Sequence, residues 1–214
     1  MKRALITQRQ RTDAHGAAID VLEAAYVQYF EGLGYTVVPV PNHTTSLTDY
    51  WRLGVDIVVL TGGGDVAGKY FEQPTDDVDS SERDALEEQL LQGAIKRRIP
   101  VVAICRGMQY VNGLMGGKLS HLKELRVPRP VGQEHSIVLN GEEVMVNNYH
   151  NDGIYRRNLS PKLNAIGMDV ENEVVEVYES KTLRILGIQC HPERPIKDAV
   201  SRQIIDELIL NFIQ

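Results

Sequence analysis

Short apolar runs alternate with longer stretches of helical spacing through the first half of the chain. Ala4–Thr7, Thr36–Val40, Asp56–Leu60 and Val101–Ile104 are brief and rich in Val, Ile and Leu, the pattern of strands buried on both faces. Ile19, Leu22, Tyr26, Tyr29 and Leu33 step by three or four, which predicts an amphipathic helix over Ala17–Leu33 with Gly34 as its stop. Ser46–Leu53 and Ser81–Arg98 each open on Ser-x-x-Asp, a helix-start pattern. Alternating strands and helices predict an α/β fold, a mostly parallel sheet with helices on both faces.

The second half changes character. Ser136–Leu139 and Glu143–Val146 flank Asn140-Gly141, a hairpin signal. Leu163–Met168, Val174–Glu179 and Leu183–Ile188 read as further strands, an antiparallel extension of the sheet, and Ile196–Ile213 reads as a closing helix. Asp76–Ser81 and Lys123–Gln133 read as surface loops near the mouth of a site. With no repeat, low-complexity tract or linker, a single domain over 1–214 is expected.

Composition narrows the setting. The 214 residues are 43% hydrophobic and 24% charged, as in ordinary soluble globules. A net charge of −6 gives no reason to expect nucleic acid or an anionic membrane as partner. No apolar run approaches the roughly 18 residues of a membrane span, and the N-terminal one is too short for a signal peptide. Two cysteines are too few for a disulfide framework, so a reducing interior and a cytoplasmic location are expected.

One of those cysteines carries the chemistry. Val101–Ile104 runs into Cys105-Arg106-Gly107-Met108-Gln109, a strand, a tight turn and the start of a helix. A residue at such an elbow projects at the carboxyl edge of the sheet, where the helix N-terminus favours a thiolate and a developing oxyanion. Cys190, inside a strand, reads as a buried structural thiol. Far downstream, His191 and Glu193 are two apart in an extended segment and point to one side, so His191 could face Cys105 while Glu193 orients its ring. Taken alone, His191-Pro192-Glu193 reads as a surface turn; the conjunction with Cys105 favours the catalytic reading. Thr61-Gly62-Gly63-Gly64-Asp65 lacks phosphate-loop spacing, and reads either as a plain turn or as backbone shaped for an oxyanion.

Together these segments resemble the class I glutamine amidotransferase-like superfamily. Ala103–Gln109 resembles its nucleophile elbow, Gln189–Glu193 its His-Pro-Glu signature and Thr61–Asp65 its oxyanion loop. Arg106 after the nucleophile, Arg83-Asp84-Ala85-Leu86-Glu87 and Val146-Asn147-Asn148-Tyr149-His150 are most similar to the γ-glutamyl hydrolase branch. Asn148 and Asn151-Asp152 depart from the γ-glutamyl-GABA hydrolase pattern, while Ile6-Thr7-Gln8-Arg9 and Tyr149-His150-Asn151 resemble γ-glutamyl-CDP-amidate hydrolases. The resemblance implies a flavodoxin-like fold and a Cys105-His191-Glu193 triad. It places an oxyanion hole at the N–H groups of Arg106 and of Gly63 or Gly64. Gln109 and His150 are the expected substrate anchors, with Asp65 and the Arg106 side chain behind them; Arg83 and Asp84 are expected at a solvated helix start or as a loop-anchoring pair. The implied substrate is a small γ-glutamyl molecule, processed without metal or organic cofactor. A homodimer, or an ammonia-accepting synthetase as partner of a glutaminase subunit, stays open.

Overall fold

The computed structural model describes residues 2–74, 81–123 and 125–214. Its first half contains β1 (Lys2–Thr7), β2 (Arg9–Thr12), β3 (Ala18–Val21), α1 (Ala24–Gly32), β4 (Tyr35–Val40), α2 (Thr48–Arg52), β5 (Ile57–Leu60), α3 (Ser81–Arg97), β6 (Val101–Ile104) and α4 (Arg106–Leu114). The second half contains β7 (Ser120–His121), β8 (Glu134–Leu139), β9 (Glu142–Asn147), β10 (Asp152–Tyr155), β11 (Asn164–Asp169), β12 (Val174–Ser180), β13 (Ile185–Ile188) and α5 (Ala199–Phe212).

The sheet runs β4-β1-β5-β6-β13-β12-β11-β8-β9. Its first five strands are mutually parallel, and from β12 onward each neighbour is antiparallel. Period-two alternation divides the parallel strands between two cores. Ala4, Ile6, Ile57 and Val59 face a layer holding Phe30 of α1 and Ile205 and Ile209 of α5. Leu5, Val58 and Leu60 face Leu86 and Leu90 of α3 and Val111 of α4. This is the expected α/β architecture with helices on both faces.

The hairpin signal has a direct cause. Leu139 pairs with Glu142, leaving Asn140 and Gly141 as a two-residue turn, both at positive φ (50° and 91°). The α5 start is fixed by Asp198, whose carboxylate accepts the Ser201 N–H at 2.8 Å.

Two expectations need correction. Ala18–Val21 is a strand paired with β2, and the helix expected from Ala17 begins only at Ala24. The apolar steps that suggested one helix come from two elements, and Ile19 is 40% exposed. Ser46 does not cap α2: Leu47 occupies that position, with Ser46 Oγ accepting from the Thr48 N–H at 3.3 Å. The short strands β7 and β10, which pair with each other, carry no alternation long enough to read. Of the loop expected at Asp76–Ser81, residues 76–80 lie outside the described residues, as does the Ser81 cap side chain, while the Ser81 backbone opens α3.

Candidate active site

Three neighbouring parallel strands deliver the candidate residues to one edge. Leu60 of β5 pairs with Ala103 of β6, and Ile104 of β6 pairs with Ile188 of β13. Immediately beyond these ends stand Thr61–Asp65, Cys105 and Gln189–Glu193. This is the carboxyl edge, where open α/β sheets hold ligands.

Cys105 is held at φ 51° and ψ −107°, while its N–H donates to the Ile188 carbonyl at 2.8 Å. A non-glycine residue adopts such a conformation only when its surroundings impose it. Gly107 shows how. A Cβ there would lie 2.4 Å from the Leu60 carbonyl oxygen, so α4 starts hard against the end of β5 and only glycine fits.

His191 lies beside the thiol, bonded on its other side to Glu193: Nδ1–H donates to Glu193 Oε1 at 2.5 Å. Burial by itself would lower the imidazole pKa, but the hydrogen bonds to Cys105 and Glu193 and their charges outweigh it and raise it to about 9. Asn147 fixes the backbone beneath, accepting the His191 N–H and donating to its carbonyl, each at 2.8 Å. Tyr149 meets the imidazole edge-on, with centroids 5.7 Å apart. Gln189 Nε2 donates to Cys105 Sγ at 3.6 Å. Sequence reading missed Gln189, Asn147 and Tyr149 as contributors, although all three flank or lie within the motifs it used. Cys190 packs in the core, and burial pushes its thiol pKa well up.

A buried ionic cluster shapes the glycine loop. Arg83, 1% exposed, donates to the carbonyls of Gly63 at 2.5 Å, Thr61 at 2.6 Å and Gly62 at 3.4 Å, and to Glu87 Oε1 at 2.8 Å. Glu87 also accepts from Arg106 at 2.5 Å and from the Thr7 hydroxyl at 2.9 Å. Arg106 additionally pairs with Asp84. Burial would raise the Glu87 pKa, but the two guanidiniums overcome it and hold the carboxyl below its usual range. In a trans peptide the N–H points opposite to the C=O. The Gly62 and Gly63 carbonyls face Arg83, so the N–H groups of Gly63 and Gly64 face away from it, and neither has a partner among the described residues. The Gly62 N–H donates to the Tyr26 hydroxyl at 2.9 Å.

The Arg106 side chain, expected behind the substrate anchors, is paired with Glu87 and Asp84, and the residue also lines the cavity. Of the two readings left open for Arg83 and Asp84, the solvated helix start and the loop anchor, Arg83 fits the second: it is buried and holds the glycine-loop carbonyls. The remaining candidates converge on a cavity of about 230 Å³, lined among others by Gly63, Gly64, Asp65, Cys105, Gln109, His150 and His191. Gln109 donates to the Asp152 carbonyl at 2.8 Å and to Gln189 Oε1 at 3.2 Å. His150 Nδ1 meets the same carbonyl at 2.9 Å, and burial lowers its pKa. No group of three or more His, Cys, Asp or Glu side chains among the described residues is placed to hold a metal ion. No helix among them is long and apolar enough to cross a membrane.

The Peptidase C26 family model matches residues 3–193, a stretch that takes in the glycine loop and Cys105 and ends on Glu193. The chain belongs to the Peptidase C26 family. This Peptidase C26 chain is 32% identical over 190 residues to the glutamine amidotransferase-like protein YvdE of Lactococcus lactis subsp. lactis, covering 79% of each. It is 28% identical over 156 residues to the gamma-glutamyl-CDP-amidate hydrolase of Campylobacter jejuni, covering 73% of this chain and 71% of that one. A solved glutamine amidotransferase from Thermotoga maritima superposes with a TM-score of 0.62 at 16% identity, over 100% of this chain and 86% of its own. That likeness shows the fold, flavodoxin-like α/β, as the sequence led us to expect.

Proposed function

We propose that the protein hydrolyses the γ-glutamyl amide bond of a small γ-glutamyl conjugate, with Cys105, His191 and Glu193 as a triad. The observation that carries this reading is the strained Cys105 backbone beside a His191 whose far nitrogen is fixed on Glu193. The kinship with the C. jejuni hydrolase supports the γ-glutamyl substrate class. A γ-glutamyl-CDP-amidate is the specific substrate that the Arg9, Tyr149 and His150 segments favour.

Cys105 Sγ adds to the γ-carbonyl carbon with its proton already held on His191, whose pKa of about 9 keeps the ring protonated. The oxyanion is received by the N–H groups of Gly63 or Gly64 and of Arg106, one such donor being worth about 3–4 kcal/mol of barrier. Collapse breaks the C–N bond, His191 returns the proton to the departing nitrogen, and a γ-glutamyl thioester remains. Water then attacks the thioester carbon, gives a proton to His191, and releases glutamate with the thiol restored. Glu193 holds the imidazole in the tautomer that these transfers need.

The test is to incubate purified protein with γ-glutamyl amides and follow glutamate release, with mass spectrometry for the acyl group on Cys105. Release by wild type and none by Cys105→Ala is expected; equal release by both would overturn the mechanism. Release that appears only with an added synthetase would identify a glutaminase subunit instead.

A further inference from the structure

Arg9 opens β2 and lays its side chain on the glycine loop. A Cβ at Gly63 would meet Arg9 Cδ at 2.9 Å and its Nε and Nη1 at 3.3 Å, so the stem rests where only glycine leaves room. Arg9 lines the same cavity as Cys105. Other cations there already have carboxylate partners. Arg106 has Asp84 and Glu87, His191 has Glu193, and Arg194 has Glu23 at 3.0 Å. Arg9 makes no ion pair or side-chain hydrogen bond among the described residues. An unpaired cation in a partly closed cavity is a binding site for an anion.

The wall on which Arg9 stands indicates which part of the substrate it meets. The departing nitrogen takes its proton from His191, so the leaving group lies on that side of Cys105. From His191 the wall continues to Tyr149, then to Arg194 stacked 4.5 Å over the Tyr149 ring, and then to Glu23, which accepts from Arg194. Glu23 follows β3, and β3 pairs Val21 with Arg9. The line from the general acid therefore ends at Arg9.

We propose that Arg9 forms an anion subsite for the leaving group, so that the preferred substrates release an amine bearing a carboxylate, phosphate or phosphonate. This rests on the γ-glutamyl hydrolase reading above. Arg9 acts in specificity and takes no part in proton transfer or acylation.

The experiment compares kcat/KM for γ-glutamyl-methylamide, γ-glutamyl-glycine and γ-glutamyl-aminomethylphosphonate in wild type, Arg9→Met and Arg9→Lys. Wild type is expected to favour the two anionic amides, and less so in high salt. In Arg9→Met the anionic-to-neutral ratio is expected to fall about 10- to 100-fold, the range for one lost charge-assisted hydrogen bond. Arg9→Lys restores part of it, which a merely structural loss would not show. Loss of the phosphonate preference alone identifies a phosphate-type leaving group, and loss of both a general anion. An unchanged ratio, or equal loss on all three amides, overturns the proposal. Absence of glutamate release from every amide by wild type instead overturns the hydrolase reading on which it rests.

Discussion

Asn147 holds the His191 main chain from both sides, its side-chain oxygen on the N–H and its nitrogen on the carbonyl, each at 2.8 Å. The same nitrogen reaches the Pro195 carbonyl at 3.2 Å, so one buried amide fixes the turn that carries His191 and Glu193. An aspartate is isosteric but cannot donate when ionised. Asn147→Asp is expected to cost about 1–3 kcal/mol of stability, the penalty for leaving buried carbonyls unpaired. It is also expected to lower kcat more than it raises KM. Denaturant unfolding and steady-state kinetics check both.

Cys105→Ala removes the proposed nucleophile and one of the groups that raise the His191 pKa. Activity is expected to fall at least about 10⁴-fold, since members of a catalytic unit fail together. The His191 pKa is expected to drop below about 9, read by NMR titration of the imidazole.

Glu193→Gln keeps shape and removes charge. We expect a loss of roughly 10²–10⁴-fold in kcat/KM, the range for general acid–base assistance. It also makes a prediction about stability against pH. The folded pKa of His191, about 9, is above its ordinary 6.5, so the protonated ring stabilises the fold. That contribution is complete below about pH 6.5 and is lost as pH rises through about 9. The stability gap between wild type and Glu193→Gln should therefore narrow over this window, measured by chemical denaturation at several pH values.

Arg83→Met leaves Glu87 buried with one cation fewer and frees three carbonyls of the glycine loop. Breaking a buried pair in this way costs about 3–5 kcal/mol. The thermal midpoint is expected to fall, and in the folded fraction kcat should fall as well because the Gly63 and Gly64 N–H groups lose their orientation. A variant with lowered stability but wild-type kcat would show that Arg83 only stabilises the fold.

Gly62→Ala tests the closeness of loop and imidazole. The new Cβ would lie 2.7 Å from His191 Cε1 and 3.2 Å from Cys105 Cβ, so the ring must move. A fall of at least about tenfold in kcat is expected, because a displacement of about 1 Å is enough to spoil reacting geometry.

The sequence by itself determined the parallel strands, the elbow at Cys105, the Asn140-Gly141 hairpin and the candidate groups at the carboxyl edge. These follow from local rules, since side-chain alternation, turn geometry and helix initiation depend on residues a few positions apart. It did not separate β3 from α1, because Ile19 and Leu22 satisfy a helical spacing while belonging to a strand and the short link after it. Only the tertiary structure decided where the charges go. Arg83 read either as part of a solvated helix start or as a loop anchor, Glu87 only as part of a motif, and the Arg106 side chain as standing behind the substrate anchors. Burial under the glycine loop brings all three together, and each is stable there only because the others neutralise it. The cost of a buried charge is set by every element packed around it, so no local pattern could have shown which arginine was committed and which, at position 9, was left facing the cavity.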